Sequence, residues 1–155
     1  MTVDVAHIAH QAVFGAVAAA GFGVLFNFGP RALLWCGACG ALALAVRTLG
    51  LDGRWSLEAA SFVAAAAVGV MVRLLRPQLR QASSAMALAG CIPMVPGAFF
   101  AQAILGLLAL TTPAGTETSA MIATTLEYTL RVLFTVGAIG AGLTIPIHLM
   151  RTREF

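Results

Sequence analysis

Two long stretches of this chain contain no formally charged side chain, and they limit what the chain can fold into. Residues 5–30 carry no Asp, Glu, Lys or Arg, and neither do residues 81–116. A membrane-spanning helix needs roughly 20 consecutive apolar residues, so each stretch is long enough to cross a bilayer. Charged residues make up 10% of the chain, whereas a soluble domain carries roughly a quarter. The sequence therefore predicts an integral membrane protein in contact with the lipid bilayer.

The same composition excludes several classes of function. The net charge of +3 comes from a few scattered arginines. These are too sparse for a nucleic-acid interface, so no nucleic acid is expected as a partner. The residues form no Ser/His/Asp, Cys/His or paired-carboxylate arrangement, and we therefore expect no enzyme.

The three cysteines allow two interpretations. Cys36 and Cys39 form a C-x-x-C pair, and Cys91 stands alone. A redox pair or half of a zinc site is one interpretation. The chain has no second C-x-x-C pair and no His-rich segment to complete a metal site. The sequence therefore favours small packing residues in membrane helices, with no metal and no cofactor.

Arginines, prolines and glycines divide the chain into predicted spans. We predict an all-α polytopic membrane helix bundle, a single transmembrane domain over residues 1–155 with five spans, at about 5–28, 32–51, 55–75, 82–110 and 130–150. No basic residue precedes the first apolar run, which is typical of a retained helix rather than of a cleaved signal. The second span is long enough only if Arg47 snorkels to the surface. If residues 32–46 are re-entrant instead, four spans remain.

The placement of arginine predicts the orientation. Arg73, Arg76 and Arg80 follow the third span without an acidic residue among them, and Arg151 and Arg153 follow the last span. Short loops that carry arginine stay in the cytoplasm. Five spans then place the N-terminus in the periplasm and the C-terminus in the cytoplasm. The alternative with four spans moves the N-terminus inside.

The fourth span contains the most informative segment, Cys91-Ile92-Pro93-Met94-Val95-Pro96-Gly97. Each proline lacks an amide donor and clashes with the carbonyl four residues earlier. Pro93 should therefore free the carbonyl of Ala89, and Pro96 that of Ile92. Gly97 permits a sharp change of direction. Broken backbone at membrane depth needs partners from protein or water, so we predict two half-helices, at about 82–92 and 98–110.

Such a break suggests a substrate site. The second half-helix would present the amides around Ala98, Phe99 and Phe100 to an anion, while the freed carbonyls would accept from an ammonium group. This combination suits a small zwitterion or carboxylate, as in transporters with discontinuous helices. The predicted contacts are Pro93, Met94, Pro96, Gly97 and Ala98. The alternative is a simple kink absorbed by neighbouring helices.

Three polar residues lie further along the chain. Gln102, on the second half-helix, either binds substrate or forms a hydrogen bond with a neighbouring helix. Glu127 and Arg131 are four residues apart, so their side chains share one helix face and can pair. An ionisable pair inside a span indicates function, here coupling or gating. The alternative places the pair in the outer membrane interface.

Two stretches resemble motifs of a known family. The first is Leu25-Phe26-Asn27-Phe28-Gly29-Pro30-Arg31-Ala32-Leu33-Leu34-Trp35-Cys36-Gly37-Ala38-Cys39-Gly40. It is similar to the N-terminal motif of the threonine/serine exporter family in its small-subunit form. The second, Ile92-Pro93-Met94-Val95-Pro96-Gly97, resembles that family's Ile-Pro-x-x-Pro-Gly signature. On this basis Asn27 joins the candidate substrate-binding residues. The pair Glu127 and Arg131 belongs to no pattern matched in the family.

The resemblance implies one subunit of a two-component secondary exporter in the bacterial inner membrane. Its cargo would be small hydrophilic metabolites such as threonine, serine or a small dicarboxylate, and a proton gradient would drive it. A larger membrane subunit of the same family is the expected partner. An odd number of spans in each half would suit an inverted repeat. The alternative function is a membrane scaffold or assembly subunit that does not transport.

Overall fold

The described part of the protein is built from helices. The computed structural model describes residues 4–75, 83–111 and 118–149. Its helices are α1 (Val5–Leu25), α2 (Pro30–Asp52), α3 (Leu57–Leu74), α4 (Ser83–Cys91), α5 (Gly97–Leu110) and α6 (Thr118–Leu149), with a 3₁₀ turn at Ile92–Met94. Four helices are long and apolar enough to cross a membrane, and the bent pair α4–α5 makes a fifth span if it counts as one. The predicted all-α membrane bundle is confirmed, and the chain is a multi-pass membrane protein.

Two boundaries bear on the expectations from sequence. Helix α2 runs unbroken from Pro30 to Asp52, so its described form is one long helix rather than a short re-entrant segment. Helix α6 begins at Thr118, 12 residues before the predicted start of the last span at 130, and Glu127 and Arg131 therefore lie within a continuous helix. Arg76, Arg80, Arg151 and Arg153, on which the orientation partly rests, lie outside the described residues.

Tight turns join the first three helices. Asn27 follows α1 with φ 57°, and the Phe28 amide donates back to the Gly23 carbonyl at 3.0 Å. Arg54 follows α2 with φ 62°, and the Trp55 amide donates back to the Gly50 carbonyl at 3.0 Å. A left-handed residue that closes the last turn through such a bond satisfies carbonyls that would otherwise be orphaned. The first three helices are therefore linked by short turns that backbone hydrogen bonds close.

Small residues bring the helices close together. Gly15 of α1 faces Gly40 of α2, and Gly142 of α6 faces α3 at Ala65. Gly90 of α4 lies against Cys39. Without a hydrophobic drive between helices in lipid, association depends on close packing of this kind. All three cysteines are unpaired and buried, in agreement with their interpretation as packing residues.

Helix α4 occupies the centre of the bundle. It packs against α1, α2 and α3, whereas α5 packs mainly against α6. The 3₁₀ turn that ends α4 contacts α1 and α2, and its Met94 side chain is fully buried. From there the chain bends by 66° into α5. The predicted broken helix is thus present, with its two halves held by different neighbours.

The close contact between α1 and α2 predicts an asymmetry between two glycines of α1. A methyl group at Gly15 would lie 3.0 Å from the carbonyl carbon of Gly40, whereas one at Gly21 would meet nothing within 4 Å. Overpacking costs about 1–3 kcal/mol, so Gly15→Ala should lower the thermal unfolding temperature of the protein in detergent. Gly21→Ala is the matched control and should leave that temperature unchanged or raise it. Equal unfolding temperatures for the two variants would contradict the α1–α2 packing.

Candidate functional site: the elbow between α4 and α5

The break between α4 and α5, residues 92–97, is here called the elbow. Val95 is extended and Pro96 adopts φ −79° and ψ 72°, so neither continues a helix. The Val95 amide donates to the Ile92 carbonyl at 3.0 Å. The prediction that Pro96 leaves this carbonyl free is therefore wrong, because the 3₁₀ turn supplies a closer donor. The Gly97 amide donates to the Val95 carbonyl at 2.8 Å. Much of the elbow is thus satisfied by its own backbone.

The elbow also binds a charged side chain from α2. Nη1 of Arg47 donates to the Met94 carbonyl at 2.6 Å. The half-buried guanidinium donates to a backbone acceptor that the break exposes, a contact that the expected snorkelling to the surface did not include. Nε of Arg47 is buried and has no partner among the described residues. No described carboxylate forms an ion pair with it either.

The start of α5 is open. Pro96 is buried, but Gly97 and Ala98 are exposed, and a Cβ at Gly97 would meet nothing within 4 Å. The amides of Ala98 and Phe99 have no hydrogen-bond partner in the part of the chain that the structure describes. Unsatisfied amides at a helix N-terminus favour an anion. The predicted amide end is therefore present and accessible.

The ion pair of α6 lies beside this helix start. Nε of Arg131 donates to Oε1 of Glu127 at 3.0 Å, and the two side chains are 43% and 58% exposed. The guanidinium carbon of Arg131 lies 5.6 Å from the ring centroid of Phe99, within range of a cation–π contact. Phe99 also stacks on Tyr128, with ring centroids 5.7 Å apart. The structure thus brings the predicted pair to the first turn of α5.

The other two candidates are placed differently. Gln102 is exposed on α5 and forms no hydrogen bond to another described residue. Asn27 is exposed in the α1–α2 turn, where its left-handed backbone closes α1. Pro30 lies next to that turn. Because α2 rises ~1.5 Å per residue, Arg47 lies roughly 26 Å further along the helix. The structure therefore does not bring Asn27 to the elbow, and its substrate role remains a prediction from the motif.

Sequence reasoning missed the contact of Arg47 with the elbow. The signal was available, because Arg47 is an arginine inside an apolar helix, and such residues commonly mark functional positions. The length needed for a second span favoured the snorkelling interpretation instead. Among the described residues, no group of three His, Cys, Asp or Glu side chains is placed to hold a metal ion.

Comparison with known proteins supplies the family. A sequence model described as threonine/serine exporter, ThrE, matches residues 11–149. The chain belongs to this family. The match includes both α2 and the elbow. Members of the family are transporters rather than enzymes, and membership supports a component of a transporter of the threonine/serine exporter type.

One curated relative aligns with nearly the whole of this chain but is about twice as long. An uncharacterized protein of Haemophilus influenzae is 27% identical over 146 residues, which are 94% of this chain and 48% of the relative. The chain therefore spans about half the length of that relative. No solved structure matches the chain.

Proposed function

We propose that this chain is the smaller subunit of a two-component secondary exporter in the bacterial inner membrane. Its cargo is a small hydrophilic metabolite with a carboxylate, such as threonine, serine or a small dicarboxylate. The observation that carries the proposal is the elbow, where a membrane-spanning pair of half-helices bends by 66° in a member of an exporter family. Interrupted helices in transporters commonly form substrate sites.

Each part of the elbow has a role in this proposal. The amides of Ala98 and Phe99 bind the substrate carboxylate, because the N-terminus of α5 carries a partial positive charge. The open space beside Gly97 lets the substrate approach the backbone. Pro93 and Pro96 keep that helix end separate from α4. Met94 contributes backbone rather than its buried side chain, and Gln102 lines the approach from the exposed side of α5.

The ion pair of α6 is proposed to gate or couple transport. Arg131 contacts Phe99 in the first turn of α5 while it is paired with Glu127. A change in the pairing of Glu127 with Arg131 would reach the helix end through Phe99. The proton gradient as the driving force is proposed from the family resemblance.

A larger membrane subunit completes the proposed exporter. A relative of twice the length contains room for a second membrane half. Glu127 and Arg131 are about half exposed on α6, although ionisable side chains in spans normally face protein or a water-filled cavity. A partner over the α5–α6 face would supply that cover. Five spans in this chain leave its ends on opposite sides, with the N-terminus in the periplasm and the C-terminus in the cytoplasm.

The elbow variants test the substrate site. Replacing Pro93 and Pro96 together by Ala restores two amide donors and should straighten the span, which hides the start of α5. Export of labelled threonine, serine or succinate by the reconstituted pair should then fall at least tenfold. Gly97→Leu should also reduce export, because its side chain fills the open space without steric conflict in the fold.

A matched control uses an exposed position of the same broken span. Ala85 on α4 is exposed, whereas its neighbour Ala87 is buried, so Ala85→Leu adds the same bulk away from the elbow. It should export at the wild-type rate. If the double proline variant exports normally while it inserts and binds its partner, the break is a kink and the proposed site is wrong. A pair that never transports, with or without these changes, would favour the scaffold function.

Dependence on the partner is a separate prediction. The six described helices offer little surface to enclose a polar pathway, so proteoliposomes that contain only this chain should retain labelled threonine, serine and succinate. Addition of the larger family subunit should start efflux. Transport by the purified chain alone would contradict the two-component arrangement.

The orientation can be measured directly. Reporter tags at Met1 and Phe155 should report the periplasm and the cytoplasm respectively, because Arg151 and Arg153 resist translocation. The same tags on the variants above serve as a check on insertion. Two cytoplasmic ends would rule out an odd number of spans.

A further inference from the structure

Arg47 is a half-buried charge at the elbow, and one of its donors is buried without a hydrogen-bond partner among the described residues. A guanidinium has five N–H donors, and among the described residues one bond, from Nη1 to the Met94 carbonyl, engages it. Its Nε is buried without a partner in the described regions, and no described carboxylate neutralises it. A cation in a membrane span is costly and is normally balanced by an anion or by carbonyls. Among the described residues, one carbonyl is the acceptor of this charge.

Support of the elbow alone does not require a charge. A neutral donor such as a glutamine amide can satisfy a single backbone carbonyl at much lower desolvation cost. Arginine differs in its permanent charge and in the planar fork that fits a carboxylate through two parallel bonds. The presence of arginine at position 47 therefore favours the binding of an anion there.

The position of the guanidinium also fits such an anion. The bond to Met94 holds Arg47 at the elbow, and α5 begins three residues later with accessible Gly97 and Ala98. Arg131, the arginine of α6 beside Phe99, is already paired with Glu127. Arg47 is thus the cation near the elbow that lacks a described carboxylate partner.

We propose that Arg47 binds the carboxylate of the exported molecule, an inference that rests on the proposed export function. Nη1 stays on the Met94 carbonyl and fixes the orientation of the guanidinium. The remaining donors, including Nε, take the carboxylate oxygens, while the first amides of α5 complete the site. The binding determinant is the carboxylate, shared by amino acids and dicarboxylates, rather than the rest of the substrate.

The test compares Arg47→Gln with wild type in proteoliposomes that contain both subunits. Threonine and threonine amide serve as probes, because the amide lacks the carboxylate. Arg47→Gln removes the charge and leaves a shorter, neutral side chain with an amide donor. It should raise the KM for threonine at least tenfold with a smaller change in kcat, and leave the weak export of threonine amide unchanged. Arg47→Lys, which keeps the charge but loses the fork, should raise the KM by a smaller factor.

Controls separate this role from structural support. Arg54→Gln removes an equal charge from an exposed turn near the end of α2 and should leave the KM unchanged. An equal loss of kcat for both probes in Arg47→Gln, with the KM unaltered, would overturn the proposal and make Arg47 a support of the elbow. If the Arg47→Gln variant loses the larger subunit during purification, the counter-ion of Arg47 lies in the partner. This result would also overturn the proposal. If Arg47→Gln fails to fold, an unchanged threonine KM in Arg47→Lys overturns the proposal.

Failure of the proposed export function would give a different transport result from failure of the role of Arg47. A wild-type pair that exports neither threonine, serine nor succinate overturns the export function and this inference with it. A wild-type pair that exports threonine, beside an Arg47→Gln variant with the same KM, overturns the role of Arg47 alone.

Discussion

The structure depends on the requirement that backbone polar groups at membrane depth find partners within the protein. Unbroken helices meet this requirement locally, and they form most of the described chain. The elbow does not, and the fold compensates for it in two ways. The 3₁₀ turn bonds Val95 to Ile92, and Arg47 supplies a donor from another helix. The placement of α4 at the centre of the bundle, against three helices, makes the second solution possible.

Close approach between helices determines which groups can meet. Glycines at the α1–α2, α2–α4 and α3–α6 contacts let backbones come near one another. At the α5–α6 contact, Gly106 lies against Thr125, and this pairing sets Phe99 beside Arg131 one to two turns away. The ion pair and the helix start are therefore neighbours because of a packing contact that contains neither of them.

The elements could largely be predicted from sequence, because long charge-free stretches and the chemistry of proline act locally. The bend at Pro93, Pro96 and Gly97 follows from missing donors, whatever surrounds it. The direction of Arg47 could not be predicted in this way. Its partner, the Met94 carbonyl, is 47 residues away, and periodicity within α2 does not reveal whether that carbonyl is within reach. The contact of Phe99 with Arg131 could not be predicted for the same reason, because it requires the packing of α5 on α6.

The two half-helices belong to different packing groups, and this has a mechanical consequence. Helix α4 is held by α1, α2 and α3, whose connecting turns are short and bonded, whereas α5 is carried mainly by α6. Helix α6 itself packs closely on α3, so α5 is joined to the rest of the bundle through α6 and through the elbow. The elbow therefore connects two halves of one span that have different neighbours, and a change in the bend at Pro96 would move α5 relative to α4.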